Sequence, residues 1–162
     1  MSKATIVGTC QICGRPIGAK SGIIAAHGYT QPRYHGWRSG GCAGAGYLPY
    51  EKSCERLREM IISLKAFIVK QEGLLAEHMV GPQVLKVIEG REPRTREVTY
   101  EKPSDFNVNV KYYGMPHTYG NAFCSRRDDY QNTIRYATED VAVMERRVLA
   151  WEEAHAADGK EA

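Results

Sequence analysis

The first 50 residues of this 162-residue chain contain no aspartate and no glutamate. They carry five basic side chains, Lys3, Arg15, Lys20, Arg33 and Arg38, which give the segment a net charge of +5. The remaining residues hold 17 of the 22 basic side chains and all 19 acidic ones, so their net charge is −2. An acid-free segment of this kind could face phosphates or an acidic protein surface.

Signatures of common enzymes and of membrane proteins are also missing. The chain has no HExxH, GxSxG or Walker-type loop, and it has no His-x-Glu of the kind that zinc deaminases use. No charged-then-apolar signal opens it, and no apolar run approaches the roughly 20 residues of a membrane span. We therefore expect a non-enzymatic, cytosolic protein with no membrane partner.

The five cysteines are too few and too unevenly spaced for the disulfide framework of a small secreted protein. Cys10 and Cys13 stand in a CxxC motif followed by Gly14, which has the form of a zinc knuckle, because glycine lets the backbone curl around the two sulfurs. The alternative is a free or redox-active cysteine pair. The βαβ unit that surrounds thioredoxin-like pairs is missing here.

A closed structural zinc site needs four ligands. Cys42, which lies in a second glycine-rich turn, is the natural third ligand. The fourth is His27 or His35, and we favour His27 because it follows a predicted strand and precedes a glycine. Cys54 is a further candidate ligand, although it also fits a hydrophobic seam in which a small thiol would be core. A site of three cysteines and one histidine indicates structural zinc rather than catalytic zinc.

Aromatic and basic side chains alternate within the same segment. Flat rings beside cations are typical of proteins that bind single-stranded nucleic acid, where the rings stack on bases. The alternatives are that the rings form the core of the small module or anchor a protein interface. The predicted nucleic-acid contacts are Arg15, Lys20, Arg33 and Arg38 for phosphates and Tyr29, Tyr34 and Trp37 for stacking.

The pattern predicts an α+β fold that begins with a zinc-ribbon-like module at residues 1–50. Residues 1–9 form a lead-in or an edge strand, and residues 21–27 form a short strand. A turn follows at residues 28–32, and a second strand lies near residues 33–38. The order of knuckle, hairpin and knuckle is that of a zinc ribbon.

Two heptad patterns predict helices at about residues 51–80 and 127–156. Their seams most simply pair as an antiparallel coiled-coil hairpin, and pairing with a second copy of the chain is the competing arrangement. The first seam holds Cys54, Leu57, Ile61, Leu64, Ile68, Gln71, Leu75 and His78. The second holds Tyr130, Ile134, Ala137, Val141, Met144, Val148, Trp151 and His155.

Residues 83–125 are predicted as a small β-rich insert at the tip of that hairpin. Alternation indicates strands at residues 84–88, 96–100 and 106–112, and the stretch from Gly114 to Ser125 is typical of a loop. His117 lies in this loop and is expected to be solvated.

The motifs CxxC at Cys10, HGYxxP at His27, GCxG at Cys42 and PYE at Pro49 together resemble a pattern in small, functionally unassigned proteins of tailed bacteriophages. The resemblance covers about residues 10–51. It implies that Cys10, Cys13, His27 and Cys42 act as one set, in a phage-encoded protein of the bacterial cytoplasm. It implies no activity.

These observations predict a zinc-stabilised binding protein that contacts DNA or RNA through its basic, aromatic N-terminal module. The alternative is a protein-interaction module that inhibits or modulates a host enzyme or defence complex. A nuclease of the treble-clef type is a third, weaker interpretation, because the catalytic histidine and second metal site that it needs cannot be found.

Overall fold

The computed structural model describes residues 6–30, 38–91, 94–109 and 118–158. The predicted α+β class is confirmed, because small antiparallel sheets occur together with two helices. The strands are β1 (Ile6–Thr9), β2 (Pro16–Lys20), β3 (Ile23–Ile24), β4 (Gly28–Thr30), β5 (Arg38–Gly41), β6 (Val84–Arg91) and β7 (Arg94–Glu101), and the helices are α1 (Glu55–Met79) and α2 (Tyr119–Asp158).

The chain divides into two compact units. The first unit combines Met1–Leu64 with Asp140–Ala162, and the second unit is Lys65–Glu139. Each of the two helices contributes residues to both units. The boundaries that we predict for the domains, residues 1–50 and 51–162, stay a prediction.

In the first unit, β1, β2 and β3 form an antiparallel sheet with β2 in the middle. Thr9 pairs with Pro16 and Ala19 with Ile24, so the six residues from Cys10 to Arg15 form the loop of a β-hairpin. The predicted edge strand is confirmed over Ile6–Thr9. The next predicted strand is shorter than expected, because only Ile23–Ile24 pairs with β2.

A second antiparallel pair joins β4 to β5, with Gly28 opposite Gly41. The predicted turn at residues 28–32 is wrong for Gly28–Thr30, because pairing with β5 extends this stretch into a strand. Residues 31–37 lie outside the described part of the chain. Of the strand predicted near residues 33–38, only Arg38 is described, and it opens β5.

Helix α1 begins at Glu55 rather than at residue 51. Residues 50–52 form a turn instead, in which the Lys52 amide donates to the Pro49 carbonyl over 2.9 Å. The Ser53 hydroxyl then accepts the Glu55 amide at 3.2 Å and caps the first turn of the helix. Gly81 follows the end of α1 with a φ of 78°, a left-handed conformation that favours glycine.

Heptad seam positions supply the buried residues of both helices in the first unit. In the first unit, Leu57, Ile61, Val141 and Met144 are all buried, and Cys54 is 1% exposed. This burial confirms which face of each helix is apolar. Pairing of the two seams as a coiled coil stays a prediction.

The second unit is built on the hairpin of β6 and β7, in which Leu85 pairs with Tyr100 and Val87 with Val98. Both strands are confirmed, and each extends beyond its predicted bounds. Leu85 packs into a buried cluster with residues of α2, and Val87 and Tyr100 pack against that cluster.

The predicted strand at residues 106–112 is wrong for 106–109, which have no strand structure; residues 110–112 lie outside the described part of the chain. Phe106 and Val108 alternate because both pack against the cluster around Phe123. The ring centroids of Phe106 and Phe123 lie 5.0 Å apart. An alternating pattern therefore arises here without a strand.

Helix α2 begins at Tyr119, within the stretch that we predict as a loop from Gly114 to Ser125. Tyr119, Ala122 and Phe123 follow helical spacing and are all buried, which explains why the helix starts so early. His117 lies outside the described residues. Within the described residues, no helix is both long enough and apolar enough to cross a membrane.

Candidate metal centre

Four predicted ligands meet at the ends of two β-hairpins. Cys10 and Cys13 lie in the loop between β1 and β2. His27 immediately precedes β4 and Cys42 immediately follows β5, so the pairing of Gly28 with Gly41 brings these two ligands together. The Cys42 amide donates to the His27 carbonyl over 2.8 Å, which extends the ladder by one step.

The side chains of these four residues converge on one point. Their ligand atoms all lie within 4.8 Å of one another. The Sγ atoms of Cys10 and Cys42 are 3.8 Å apart, and Cys13 Sγ lies 3.4 Å from His27 Nε2. Such a cluster could hold a metal ion, and the prediction of these four residues as one set is supported by their geometry. The alternative ligand His35 lies outside the described residues.

His27 is oriented for coordination through Nε2. Its Nδ1 lies 2.8 Å from the carbonyl oxygen of Ala25, a distance at which Nδ1–H donates to that oxygen. With the proton on Nδ1, the lone pair of Nε2 faces the sulfurs. Metal-bound histidines in proteins are commonly fixed in this way by a backbone carbonyl.

Two glycines allow the backbone to wrap around the sulfurs. Gly14 has a φ of 70°, and its amide donates to the Cys10 carbonyl over 3.0 Å, which closes the knuckle turn. A Cβ at Gly44 would overlap the Sγ of Cys10 and would approach the Ile12 side chain to 3.2 Å. Gly44 therefore leaves the space that the Cys10 sulfur needs.

Arg15 stabilises negative charge on Cys13. Its Nε donates to Cys13 Sγ over 3.4 Å, and its Nη2 donates to the Gly28 carbonyl. Burial acts to raise the pKa of Cys13, but hydrogen bonds, chiefly from the side chain and the backbone of Arg15, outweigh it and lower that pKa to about 6. Cys13 is thus prepared to act as a thiolate.

Cys42 is in the opposite situation. Burial, together with the nearby sulfurs of Cys10 and Cys13, raises the pKa of Cys42 to about 12, against a hydrogen bond from the Gly44 backbone. Three thiols held this close cannot all ionise unless a positive charge lies between them. A divalent cation supplies that charge, and it would convert all three thiols to thiolates.

Gln11, inside the CxxC motif, joins the knuckle to α1 and was not predicted as important. Its side chain is only 1% exposed. Its Nε2 donates to the Leu48 carbonyl over 2.8 Å, and its Oε1 accepts the Leu57 amide at 3.2 Å. The Leu57 amide, in the first turn of α1, also donates to the Cys54 carbonyl over 3.1 Å, so Gln11 supplies it with a second acceptor. No pattern in the sequence indicates this role.

Of the predicted nucleic-acid contacts, only Arg15 has a described side chain, and that side chain is engaged with Cys13 and Gly28. The backbones of Lys20, Tyr29 and Arg38 lie in strands β2, β4 and β5. Arg33, Tyr34 and Trp37 lie outside the described residues. These six contacts stay predictions.

Cys54 and Cys124 are outside the cluster. Cys54 is buried beside the N-terminus of α1, as expected for a core position, and burial raises the pKa of its thiol. Cys124 is buried in the hydrophobic cluster around Phe123, in the second unit. The interpretation of Cys54 as core is therefore favoured over its interpretation as a ligand.

Comparison with protein-family models, with curated proteins and with solved structures gave no match.

Proposed function

We propose that this chain is a non-enzymatic binding protein whose N-terminal module is folded around one zinc ion. Cys10, Cys13, His27 and Cys42 would hold the ion. The observation that carries the proposal is the geometry of these four side chains, whose sulfur and nitrogen atoms converge within 4.8 Å.

Two of the six distances between ligand atoms fit zinc. A tetrahedral ion with Zn–S bonds of about 2.3 Å separates two sulfurs by about 3.8 Å, and with a Zn–N bond of about 2.0 Å it separates sulfur from nitrogen by about 3.5 Å. The corresponding distances are 3.8 Å between Cys10 and Cys42 and 3.4 Å between Cys13 and His27. Soft thiolates with one imidazole are also a donor set that zinc prefers.

A structural role follows from the number and the kind of ligands. Four protein ligands leave no open position for water or substrate, which a catalytic zinc needs. The two hairpins that supply the ligands are short and rich in glycine, so the ion would supply much of the cohesion of a zinc-ribbon-like module.

Nucleic acid is the proposed partner of this module. The support is its net charge of +5 without any acidic side chain over residues 1–50. Lys20, Arg33 and Arg38 would contact phosphates, and Tyr29, Tyr34 or Trp37 would stack on bases. Arg15, which contacts the sulfur of Cys13, would act at the metal centre at the same time.

Fluorescence anisotropy with single-stranded DNA and RNA over a salt series tests this partner. The logarithm of the binding constant should fall linearly with the logarithm of the salt concentration, by about 0.7 for each phosphate contacted. Replacing Arg33 or Arg38 with alanine should weaken binding and reduce the slope by about one contact. Arg146→Ala, at an exposed position of α2, is the matched control. No binding of either nucleic acid at low salt would refute the proposal.

A protein partner is the second candidate, and exposed apolar side chains on α1 favour it. Val69 is 67% exposed and Phe67 is 40% exposed, both in the part of α1 that belongs to the second unit. The face of α1 that carries Val69 lies apart from the predicted seam, through which the two helices, or two copies of the chain, would pair. A host or phage protein, such as an enzyme or a defence complex, would bind there.

Affinity capture from bacterial lysate, with and without nuclease treatment, separates the two candidates. A nucleic-acid partner disappears after nuclease treatment, whereas a protein partner stays bound. Val69→Lys should abolish capture of a protein that binds this face of α1. Unchanged capture would exclude that face as the contact.

A further inference from the structure

Arg147 of α2 contacts the knuckle loop directly. Its Nη1 donates to the Ile12 carbonyl over 3.2 Å, and its Nη2 donates to the Cys10 carbonyl over 3.3 Å. The two terminal nitrogens of one guanidinium group therefore span two carbonyls of the CxxC motif. Arg147 lies 135 residues from Ile12 and 137 residues from Cys10 in the sequence.

The Arg147 side chain is held in place from its other side. The guanidinium group lies over the ring of Tyr50 at 4.8 Å from its centroid, and the Tyr50 hydroxyl donates to the Arg147 carbonyl. Trp151 Nε1 donates to the Tyr50 carbonyl over 2.6 Å. Because the guanidinium group of Arg147 is already held by these contacts, little side-chain entropy is lost when it binds the knuckle loop.

The carbonyl of Cys10 accepts two hydrogen bonds, one from Arg147 and one from the Gly14 amide at 3.0 Å. Both bonds require the curled form of the loop. In that form the sulfurs of Cys10 and Cys13 point to the same ion.

Charge favours the same arrangement. A divalent ion with three thiolates carries one net negative charge. The guanidinium group of Arg147 lies beside the loop, 3.9 Å from the position that a Cβ of Gly14 would take. A cation at this place stabilises the loaded centre more than the centre with protonated thiols.

We infer that Arg147 is a positioning residue of the metal centre, and that it couples metal binding to the order of the C-terminal part of α2. The inference rests on the proposed zinc centre. Because coupling is reciprocal, Arg147 raises the affinity of the knuckle for zinc, and zinc in turn holds residues 140–158 in place.

Zinc affinity of the full chain, measured by competition with a chelator, tests the first half of this inference. Arg147→Met keeps the apolar stem but removes the donors, and it should weaken zinc binding at least tenfold, as is typical when a partner behind a metal ligand is lost. Arg147→Lys keeps the charge but cannot span two carbonyls, and it should fall between Arg147→Met and wild type. Arg146→Met, at the exposed neighbouring position, should stay within about twofold of wild type.

Cobalt substitution separates positioning from mere stability. The absorption bands of Co²⁺ bound to thiolates report on the geometry of the site. They should change in Arg147→Met and not in Arg146→Met. A loss of stability alone would leave the spectrum of the loaded protein unchanged.

Hydrogen exchange tests the second half. In wild type, zinc should slow exchange of the amides of residues 148–158, and in Arg147→Met zinc should leave them unchanged. If Arg147→Met fails to fold, the same comparison with Arg147→Lys should show reduced protection. Equal affinity, spectra and protection in the Arg147 and Arg146 variants would overturn the inference while leaving the zinc centre intact. A wild-type protein that binds no zinc would overturn both.

Discussion

Replacing Gln11 with alanine should destabilise the first unit by about 2 kcal/mol. The Leu57 amide would lose its buried bond to Gln11 and keep only its bond to the Cys54 carbonyl, at a cost of about 1 kcal/mol. The Leu48 carbonyl is only partly buried, so its lost bond should add about 1 kcal/mol.

Urea unfolding at saturating zinc, followed by tryptophan fluorescence, measures this loss. Trp151 lies in α2 within the first unit, so its fluorescence reports on that unit. Gln11→Met keeps the volume of the side chain but makes neither hydrogen bond, so it should show most of the loss of Gln11→Ala. Gln131→Ala changes an exposed helical position and should stay within about 0.5 kcal/mol of wild type.

The result that refutes this reasoning is a Gln11→Ala protein as stable as Gln131→Ala. The residue inside the knuckle would then not cap α1, and the link between the metal centre and the helix would have to lie elsewhere. A Gln11→Met protein as stable as wild type would also contradict it, because the two hydrogen bonds of Gln11 would then contribute nothing.

Three further predictions concern the metal centre and the second unit. Gly44→Ala should weaken zinc binding at least tenfold in chelator competition, because a Cβ there overlaps the Cys10 sulfur; Gly73→Ala, which faces open space on α1, should leave zinc affinity unchanged. Phe123→Ala should destabilise the second unit by about 3–5 kcal/mol in chemical unfolding, and a simultaneous loss of zinc would contradict the division into two units. Burial lowers the pKa of His78 below 6.5, so the unfolded form takes up a proton first as the pH falls. The stability of the second unit should therefore decrease from pH 7 to pH 5, and His78→Leu should show a smaller decrease; an equal decrease in both proteins would exclude His78 as its origin.

The four candidate ligands could be predicted from the sequence because metal sites in short segments leave local signals. CxxC followed by glycine, a second Gly-Cys-x-Gly turn and a histidine before glycine are all visible within about 30 residues. The heptads likewise predicted the apolar faces of both helices, since their period depends only on local spacing.

Contacts over long sequence separations could not be predicted. Arg147 stands in α2 beside the similar Arg146, and nothing in the local pattern distinguishes the residue that bonds the knuckle from the residue that is exposed. Gln11 occupies a variable position of CxxC, and its capping of α1 depends on how the hairpin packs.

The errors in the second unit have a related cause. Phe106 and Val108 alternate as in a strand, and the stretch before Arg126 has the small and polar residues of a loop. Packing around Phe123 explains both errors. Phe106 and Val108 pack against the Phe123 cluster without forming a strand, and burial of Tyr119 in that cluster extends α2 back to this residue. Tertiary contacts here outweigh local preference.

Metal analysis of the purified protein and of its single cysteine variants tests the central claim most directly. Wild type should contain one zinc ion per chain, and Cys10→Ser, Cys13→Ser and Cys42→Ser should each lose it. Cys54→Ser and Cys124→Ser should retain it, because both cysteines lie outside the cluster. A folded wild-type protein without metal, or loss of zinc from Cys54→Ser rather than from Cys42→Ser, would contradict the account.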